Sequence, residues 1–184
     1  MILFFGPTGA GKSMQGQMLA ARMNWKWLST GEMLRQSTDP EVIAVLKSGE
    51  LVSDELTYEV FEQAIAEARE KKYTNVIVDG FPRTATQAEW LAEHMERTGH
   101  HIDIVVVLEV PENEIMLRLE KRGRMEDTPE TIARRMTIYR QKMYPVLGIF
   151  AEDHIPIVHI DGKGTAGQIH DKIYDELVHR DLAD

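Results

Sequence analysis

Gly6-Pro7-Thr8-Gly9-Ala10-Gly11-Lys12-Ser13 is the stretch that decides the fold, because it matches the pattern G-x-x-x-x-G-K-[ST]. It follows the apolar run 2–5 and precedes an amphipathic segment, so the sequence predicts a loop between a strand and a helix. The backbone N–H groups of such a loop, with the positive end of the helix, suit a polyphosphate. We expect Lys12 to reach the outer phosphates and Ser13 to join a Mg²⁺ shell. A glycine-rich turn without a ligand is the alternative.

Composition limits the classes of protein that the chain can represent. Its 184 residues, 43% of them hydrophobic, suffice for one well-buried domain, predicted over 1–184. No apolar run approaches the roughly 20 residues that span a bilayer. A net charge of −9 argues against binding to nucleic acid or to a membrane surface. The N-terminus lacks a secretory signal pattern, so we expect a cytoplasmic protein. Without cysteine, no thiolate zinc site is expected.

Predicted strands and helices alternate along the chain. Five short apolar runs are typical of strands, at 2–5, 25–28, 75–79, 104–110 and 154–160. Helical spacing lies between and after them, at 13–23, from about 30 to 35, and at 41–47, 55–72, 84–97, 112–121, 130–150 and 165–179. This alternation predicts an α/β fold with a doubly wound parallel sheet.

Asp79 ends the third predicted strand, a buried run of the kind found in parallel sheets. The carboxyl ends of such strands face the ligand crevice of an open α/β sheet. Asp79 is therefore placed to hold Mg²⁺, through water as a Walker B acid usually does. An acid that merely caps the following helix is the alternative interpretation.

Cationic side chains are more numerous than one triphosphate requires. They are Arg35, Arg83, Arg118, Arg122, Arg124 and Arg135, beside the lysine of the loop. Two phosphorylated ligands would account for them, because arginine grips phosphate oxygens in pairs. Phosphoryl transfer between two such ligands needs alignment and neutralisation of charge. A phosphate acceptor is already ionised near neutral pH, so no general base is required.

Six motifs, in this order and spacing, resemble those of the adenylate kinase family over nearly the whole chain. They are Gly6-Pro7-Thr8-Gly9-Ala10-Gly11-Lys12, Ser29-Thr30-Gly31-Glu32-Met33-Leu34-Arg35, Gly49-Glu50-Leu51-Val52-Ser53-Asp54, Asp79-Gly80-Phe81-Pro82-Arg83-Thr84 with Gln87, Arg122-Gly123-Arg124-Met125-Glu126-Asp127, and Arg134-Arg135. The resemblance implies a P-loop kinase fold and Mg²⁺-dependent, reversible transfer of a phosphoryl group from ATP to AMP, giving two ADP. Mg²⁺ is the implied cofactor, and ATP, AMP and ADP are the implied partners.

The resemblance also implies a role for each matching residue. Residues implied in catalysis are Lys12, Arg83, Arg122, Arg124 and Arg135. Those implied to hold ATP are Gly9, Ala10, Gly11, Lys12, Ser13, Met14, Arg118 against the adenine, Arg122 and Gly164. Those implied to hold AMP are Thr30, Arg35, Glu50, Leu51, Val52, Gly80, Phe81, Pro82, Arg83, Gln87, Arg124 and Arg135. Ser13 and Asp79 are the implied metal residues.

Two positions indicate which base the acceptor carries. The family's adenylate members have Thr and Gln where this chain has Thr30 and Gln87, and a Gln amide can both donate to and accept from an adenine edge. We therefore expect AMP as the acceptor. A kinase for UMP or CMP remains open, as does a nucleotide-sensing protein without turnover.

The chain departs from the family pattern at several places, among them Glu32 and Glu126, which stand where Asp is usual. Ser13-Met14 stands where Gly-Thr is usual, and Met14 lacks a hydroxyl for the α-phosphate. The lid has only residues 122–128, so acceptor-binding helices at about 30–59 are expected to dominate motion. Such a short lid should exclude water less completely and let ATP hydrolysis compete. The rate of ADP release from ATP in the absence of AMP measures this hydrolysis, and it should exceed the rate of a long-lid relative. Short-lid relatives suggest a monomer.

Overall fold

The computed structural model of the protein describes residues 1–124 and 127–183. Five parallel strands form one sheet in the order β2-β3-β1-β4-β5. They are β1 Ile2–Phe5, β2 Lys26–Ser29, β3 Val76–Asp79, β4 Ile104–Glu109 and β5 Ile157–Asp161. The predicted α/β fold with a parallel sheet is confirmed, and it is consistent with the P-loop kinase fold.

Eight helices connect and follow the strands in the described part of the chain. They are α1 Lys12–Met23, α2 Thr30–Arg35, α3 Pro40–Ser48, α4 Asp54–Glu70, α5 Ala85–Thr98, α6 Glu112–Arg122, α7 Pro129–Glu152 and α8 Ala166–His179. Side-chain oxygens that accept from the first-turn N–H groups fix where most of them begin. These caps are Ser29, Asp39, Ser53, Thr84, Thr128 and Thr165.

Three predicted boundaries are wrong, each by two or three residues. The last strand begins at Ile157 rather than at 154, because His154 has a left-handed backbone (φ 57°) that a strand cannot adopt. The helix predicted to reach 72 ends at Glu70, and Lys72 also has a positive φ, of 58°. The helix predicted to end at 150 continues to Glu152, and the remaining boundaries agree with the sequence prediction to within one residue.

Helices cover both faces of the sheet because successive strand residues point in opposite directions. On one face, Ile2 and Phe4 of β1 share a buried cluster with α1 and α8. On the other face, Leu3 and Phe5 pack in a cluster with α4, α5 and α7. Strands buried on both faces read as continuous apolar runs, which is why the sequence disclosed them.

The carboxyl ends of the strands meet at one edge of the sheet. The register pairs Phe4 with Asp79 and Ser29 with Asp79, so the loops that follow β1, β2 and β3 open side by side. In open parallel sheets this edge is where ligands bind. Across residues 1–124 and 127–183, none of the helices combines the length and the apolar character that crossing a membrane would need.

Candidate nucleotide-binding site

A cleft of about 900 Å³ opens at this edge of the sheet. Every residue that the sequence assigned to a nucleotide or to the metal lines it. They are Gly9, Ala10, Gly11, Lys12, Ser13, Met14, Thr30, Arg35, Glu50, Leu51, Val52, Asp79, Gly80, Phe81, Pro82, Arg83, Gln87, Arg118, Arg122, Arg124, Arg135 and Gly164. Segments far apart in the sequence therefore converge on one cavity, whose size is that of a ligand site.

The loop between β1 and α1 is held in shape by its glycines. Gly9 has φ 82°, and a Cβ atom there would lie 2.9 Å from Cγ of Leu119. Only glycine combines this backbone with so close an approach to α6. Gly11 precedes α1 without giving it a side-chain cap. The N–H groups of the first turn are thus available to an anion.

Lys12 lies across the loop that precedes it. Its Nζ donates to the carbonyl oxygens of Gly6 and Pro7, at 2.8 and 3.0 Å. Burial lowers the pKa of Lys12; Asp79 offsets part of that effect, and the charges of Arg83 and Arg122 lower the pKa further. An anionic ligand would therefore stabilise the charged form of this partly buried lysine, which lies near two guanidinium groups.

Ser13 and Asp79 lie together, as the metal prediction requires. The Ser13 hydroxyl donates to Oδ2 of Asp79 at 2.6 Å, and Asp79 is 3% exposed. The alternative role for Asp79 is wrong, because Thr84 caps the helix that follows. Mg²⁺ commonly takes one or two protein carboxylates and completes its shell with phosphates and water, which this pair fits. Within the described ranges, no three His, Asp or Glu side chains are grouped closely enough to hold a metal.

Arg118 joins the phosphate loop to the turn after β5. Its Nη1 donates to the carbonyl of Ala10 at 3.2 Å, and its Nη2 donates to the carbonyl of Gly162 at 2.8 Å. Its Nε donates to Glu114, one turn earlier on α6, at 3.0 Å. Three partners fix the guanidinium in the region where the resemblance places a base.

Gln15 makes a second connection there that sequence reasoning missed. Its side chain is 2% exposed, lines the cleft, and donates from Nε2 to the carbonyl of Ala166 at 2.9 Å. This bond ties α1 to the start of α8. The sequence did contain a signal, because a polar residue at a buried position of the predicted first helix requires a hydrogen-bond partner.

Two guanidinium groups converge above Gly31 on the other side of the cleft. A Cβ atom there would lie 3.3 Å from Nη2 of Arg83 and 3.5 Å from Nη1 of Arg35. Arg83 also donates from Nε to the carbonyl of Gly80 at 2.7 Å. Thr30 adjoins them, since a Cβ at Gly80 would lie 3.1 Å from its hydroxyl and 3.0 Å from Nη2 of Arg83. Like charges this close favour an anion between them.

Gln87 is buried next to Arg83, with 2% of its surface exposed. Its Oε1 accepts from the backbone N–H of Arg83, and its Nε2 donates to Oδ1 of Asp54, both at 2.7 Å. Sequence analysis named Asp54 only as the last residue of a family motif. The contact with Gln87 was missed, because the two residues belong to different helices.

The predicted lid begins at the end of α6. Asp127, whose side chain is 3% exposed, accepts from Nε and Nη2 of Arg122 at 2.8 and 2.7 Å. It also accepts from Nη1 of Arg135 on α7, at 3.3 Å. One carboxylate therefore holds two of the predicted catalytic arginines. Met125 and Glu126, which the motif includes, lie outside the described residues.

The loop 49–52 is connected to α7. The Glu50 carboxylate accepts from Arg134 at 2.8 Å, and the carbonyls of Leu46 and Lys47 accept from Arg135 and Thr131 at 3.1 and 3.2 Å. These contacts bring the end of α3 against the helix that follows the lid.

Comparison with known proteins identifies the family. The family model described as "Adenylate kinase" matches residues 4–155. The chain belongs to the adenylate kinase family. "Adenylate kinase" of Thermus thermophilus is 36% identical to it, over 94% of each chain. "Adenylate kinase 1" of Nostoc sp. is 36% identical and "Adenylate kinase" of Maricaulis maris 35%, each over 91% of this chain and 93% of the relative.

This membership confirms the resemblance that the motifs carried. A member of the adenylate kinase family is a nucleoside monophosphate kinase, a phosphotransferase, so the prediction of an enzyme is confirmed as well. The two alternatives, a kinase for UMP or CMP and a sensor without turnover, are not favoured by relatives that all carry adenylate kinase names.

Proposed function

We propose that the protein catalyses the reversible, Mg²⁺-dependent transfer of the γ-phosphoryl group from ATP to AMP, giving two ADP. One observation carries the proposal: a single cleft holds both a glycine loop at a helix start and a separate pair of guanidinium groups above Gly31. The loop suits a polyphosphate, and the pair suits the phosphate of a second nucleotide.

The donor nucleotide is assigned to the side of the cleft near α1 and α6. Its phosphates would lie along Gly9 to Met14, with the Lys12 ammonium on the outer ones. Arg118 and Gly164 would flank the adenine. The position of Arg118, held between the carbonyls of Ala10 and Gly162, supports this assignment.

The acceptor nucleotide is assigned to the side near α2, α3 and α5, within the segment of about 30–59 and the loop after β3. Arg35 and Arg83 would bind the AMP phosphate. Thr30, Gln87 and the walls formed by 50–52 and 80–82 would surround the nucleoside. That all of these residues line the same cleft supports the assignment.

Transfer would take place between the two sites, near Arg122, Arg124 and Arg135. Fixed guanidinium groups stabilise the charge that spreads over the moving phosphoryl group. Ser13 and Asp79 would hold Mg²⁺, which supplies neutralisation of phosphate charge when it is bound. The acceptor oxygen belongs to an ionised phosphate, so the chain need not remove a proton from it.

We also propose that the protein acts as a monomer in the cytoplasm. Both nucleotide sites are formed by residues of one chain, which supports a monomer. The cytoplasm holds the pools of ATP and AMP that the reaction would equilibrate. Sedimentation at assay concentration tests the oligomeric state, and fractionation of cells tests the location.

A coupled assay of ADP formation from ATP and Mg²⁺ tests the reaction, with AMP, UMP, CMP and GMP offered separately. We expect a preference for AMP, and we expect Arg83→Ala to reduce the activity with AMP by about 10²-fold or more, since one charged contact to the reacting group contributes this much. Arg180→Ala, at the far end of α8, is the matched control and should retain full activity. Tight nucleotide binding without turnover on any acceptor would contradict the proposal.

A further inference from the structure

We propose that Asp54 is a specificity-determining positioning residue: with the Arg83 N–H, it fixes which way the Gln87 amide faces and so selects a 6-aminopurine acceptor over a 6-oxopurine. The inference rests on the proposed function, in which Gln87 contacts the acceptor base. It goes further by assigning the discrimination to the partners of the glutamine rather than to the glutamine itself.

The geometry holds Gln87 from three sides. Asp54, in the first turn of α4, accepts from Nε2 at 2.7 Å, and the backbone N–H of Arg83 donates to Oε1 at 2.7 Å. The Gln87 backbone is held as well, because its N–H donates to the hydroxyl of Thr84 at 3.2 Å. With only 2% of Gln87 exposed, little room remains for another arrangement.

The two partners of the side chain have opposite and unchangeable hydrogen-bonding character. A carboxylate offers only acceptors, and a backbone N–H is only a donor. Turning the amide by 180° would set its oxygen against the Asp54 carboxylate and its NH₂ group against the Arg83 N–H. Both hydrogen bonds would be replaced by repulsion, so one orientation is fixed. An amide has two N–H groups and two lone pairs, which leaves one of each for a base.

The fixed orientation matters because an unrestrained glutamine cannot tell the two kinds of purine apart. Adenine presents an N6–H donor beside a ring-nitrogen acceptor. Hypoxanthine presents the reverse, an O6 acceptor beside an N1–H donor. A glutamine that turns freely matches either edge, whereas one whose oxygen and nitrogen are fixed matches only one. A site whose polar groups are left unpaired by the wrong base rejects it.

Asp54 acts through Gln87, since it is absent from the described residues that line the cleft. The competing explanation is structural: an acid in the first turn of a helix is stabilising by itself. Glu55 occupies the same turn, is exposed, and offers a matched control, because Glu55→Gln removes the same charge without touching Gln87.

The experiment compares kcat/KM for AMP and for inosine monophosphate in the parent protein, Asp54→Asn, Glu55→Gln and Gln87→Ala. An asparagine can turn either its oxygen or its NH₂ group toward Gln87, so the substitution releases one of the two restraints. We expect Asp54→Asn to raise the ratio of inosine monophosphate to AMP activity about three- to tenfold, the effect of one net hydrogen bond. KM for ATP should stay unchanged, and Glu55→Gln should keep the parent ratio.

The outcomes separate the inference from the function on which it rests. If Gln87→Ala changes the ratio and Asp54→Asn does not, Asp54 is structural and the inference is overturned while the base contact stands. If Gln87→Ala keeps the parent's ratio of inosine monophosphate to AMP activity, Gln87 does not recognise the base. That result overturns both the inference and the assignment of Gln87 to AMP. An equal shift in Glu55→Gln would mean that charge in the α4 turn is responsible, again overturning the inference.

Discussion

The two halves of the cleft differ in whether backbone or side-chain groups form most of the binding surface. On the donor side the phosphate-binding surfaces are mainly backbone, joined by the Lys12 side chain: Gly9 packs against α6, and the helix start at Gly11 faces the cleft. On the acceptor side they are side chains, with Arg83 bonded to Gly80 and Gln87 bonded to Asp54. Backbone N–H groups recognise phosphate whatever base it carries, whereas a fixed amide can recognise a base. The difference predicts a rigid donor side and a more selective acceptor side.

The largest effect is expected from Lys12→Met. It should reduce kcat about 10³-fold, because a charge aimed at the transferred group is lost. It should not lower Tm at pH 7. Burial lowers the pKa of Lys12 in the folded protein, so the charged lysine costs stability below that pKa, and the cost disappears as the pH rises toward the ordinary value of 10.5.

Calorimetry of the Lys12→Met variant and the parent at pH 7 and at alkaline pH checks this prediction. The variant should have an equal or higher Tm at pH 7, and the difference should shrink as the pH rises. A lower Tm at pH 7 would mean that the bonds to Gly6 and Pro7 outweigh the burial of the charge.

Gly9→Ala tests the rigidity of the donor side. Its methyl group would overlap Leu119 at 2.9 Å and Ile115 at 3.1 Å, both buried, on a backbone of φ 82°. Strain and overpacking together should cost about 2–4 kcal/mol of the free energy of unfolding, or roughly 5–15 °C in Tm. Gly167→Ala, in α8 with open space around it, is the control and should be neutral or stabilising. A Tm of Gly9→Ala equal to that of the parent would show that the loop relaxes to accommodate the methyl group.

Gly31→Ala makes the same change on the acceptor side, with a different expected result. The added methyl group meets the ends of two flexible arginines, at 3.3 and 3.5 Å, and α2 tolerates alanine. Displaced guanidinium groups should raise KM for AMP about three- to tenfold, with little change in Tm or in KM for ATP. Gly148→Ala, in α7 with nothing nearby, serves as the control. An equal rise in KM for AMP and KM for ATP would contradict the proposed difference between the acceptor and donor sides.

The smallest effect concerns the packing beneath the acceptor side. His94 of α5 stacks on Trp90 at 4.8 Å and contacts Phe61 of α4 edge-on at 6.1 Å. Burial lowers the pKa of His94 from 6.5; Glu62 opposes this, and the charges of Arg97 and Arg69 add to it. The unfolded chain thus binds the proton more tightly, and stability should fall as the pH drops below 6.5 toward the folded pKa.

His94→Gln should flatten this part of the stability curve, which thermal unfolding between about pH 7 and pH 5 measures. The predicted change in slope is small, because a single partly compensated group is removed. A variant whose curve follows the parent throughout would assign the acid sensitivity to other groups.

The sequence disclosed those features that depend on local pattern or on motif order. The loop at Gly6, the five strands and the pairing of Ser13 with Asp79 follow from periodicity and from strands that end at one edge. What it did not disclose depends on side chains that meet across the fold. Gln87 and Asp54 are separated by 33 positions, and Gln15 and Ala166 by 151. Such contacts depend on how helices are packed, which no local spacing encodes.

The order of the strands also affects when the donor site can form during synthesis. β1 lies between β3 and β4, pairing Ile2 with Ile77 on one side and with Ile104 on the other. A ribosome adds about 5–20 residues per second, so roughly 100 further residues take about 5–20 s to follow β1. Until then the strand that anchors the phosphate loop can pair with β3 but lacks β4 on its other side. The phosphate loop is therefore made well before the second strand that supports β1.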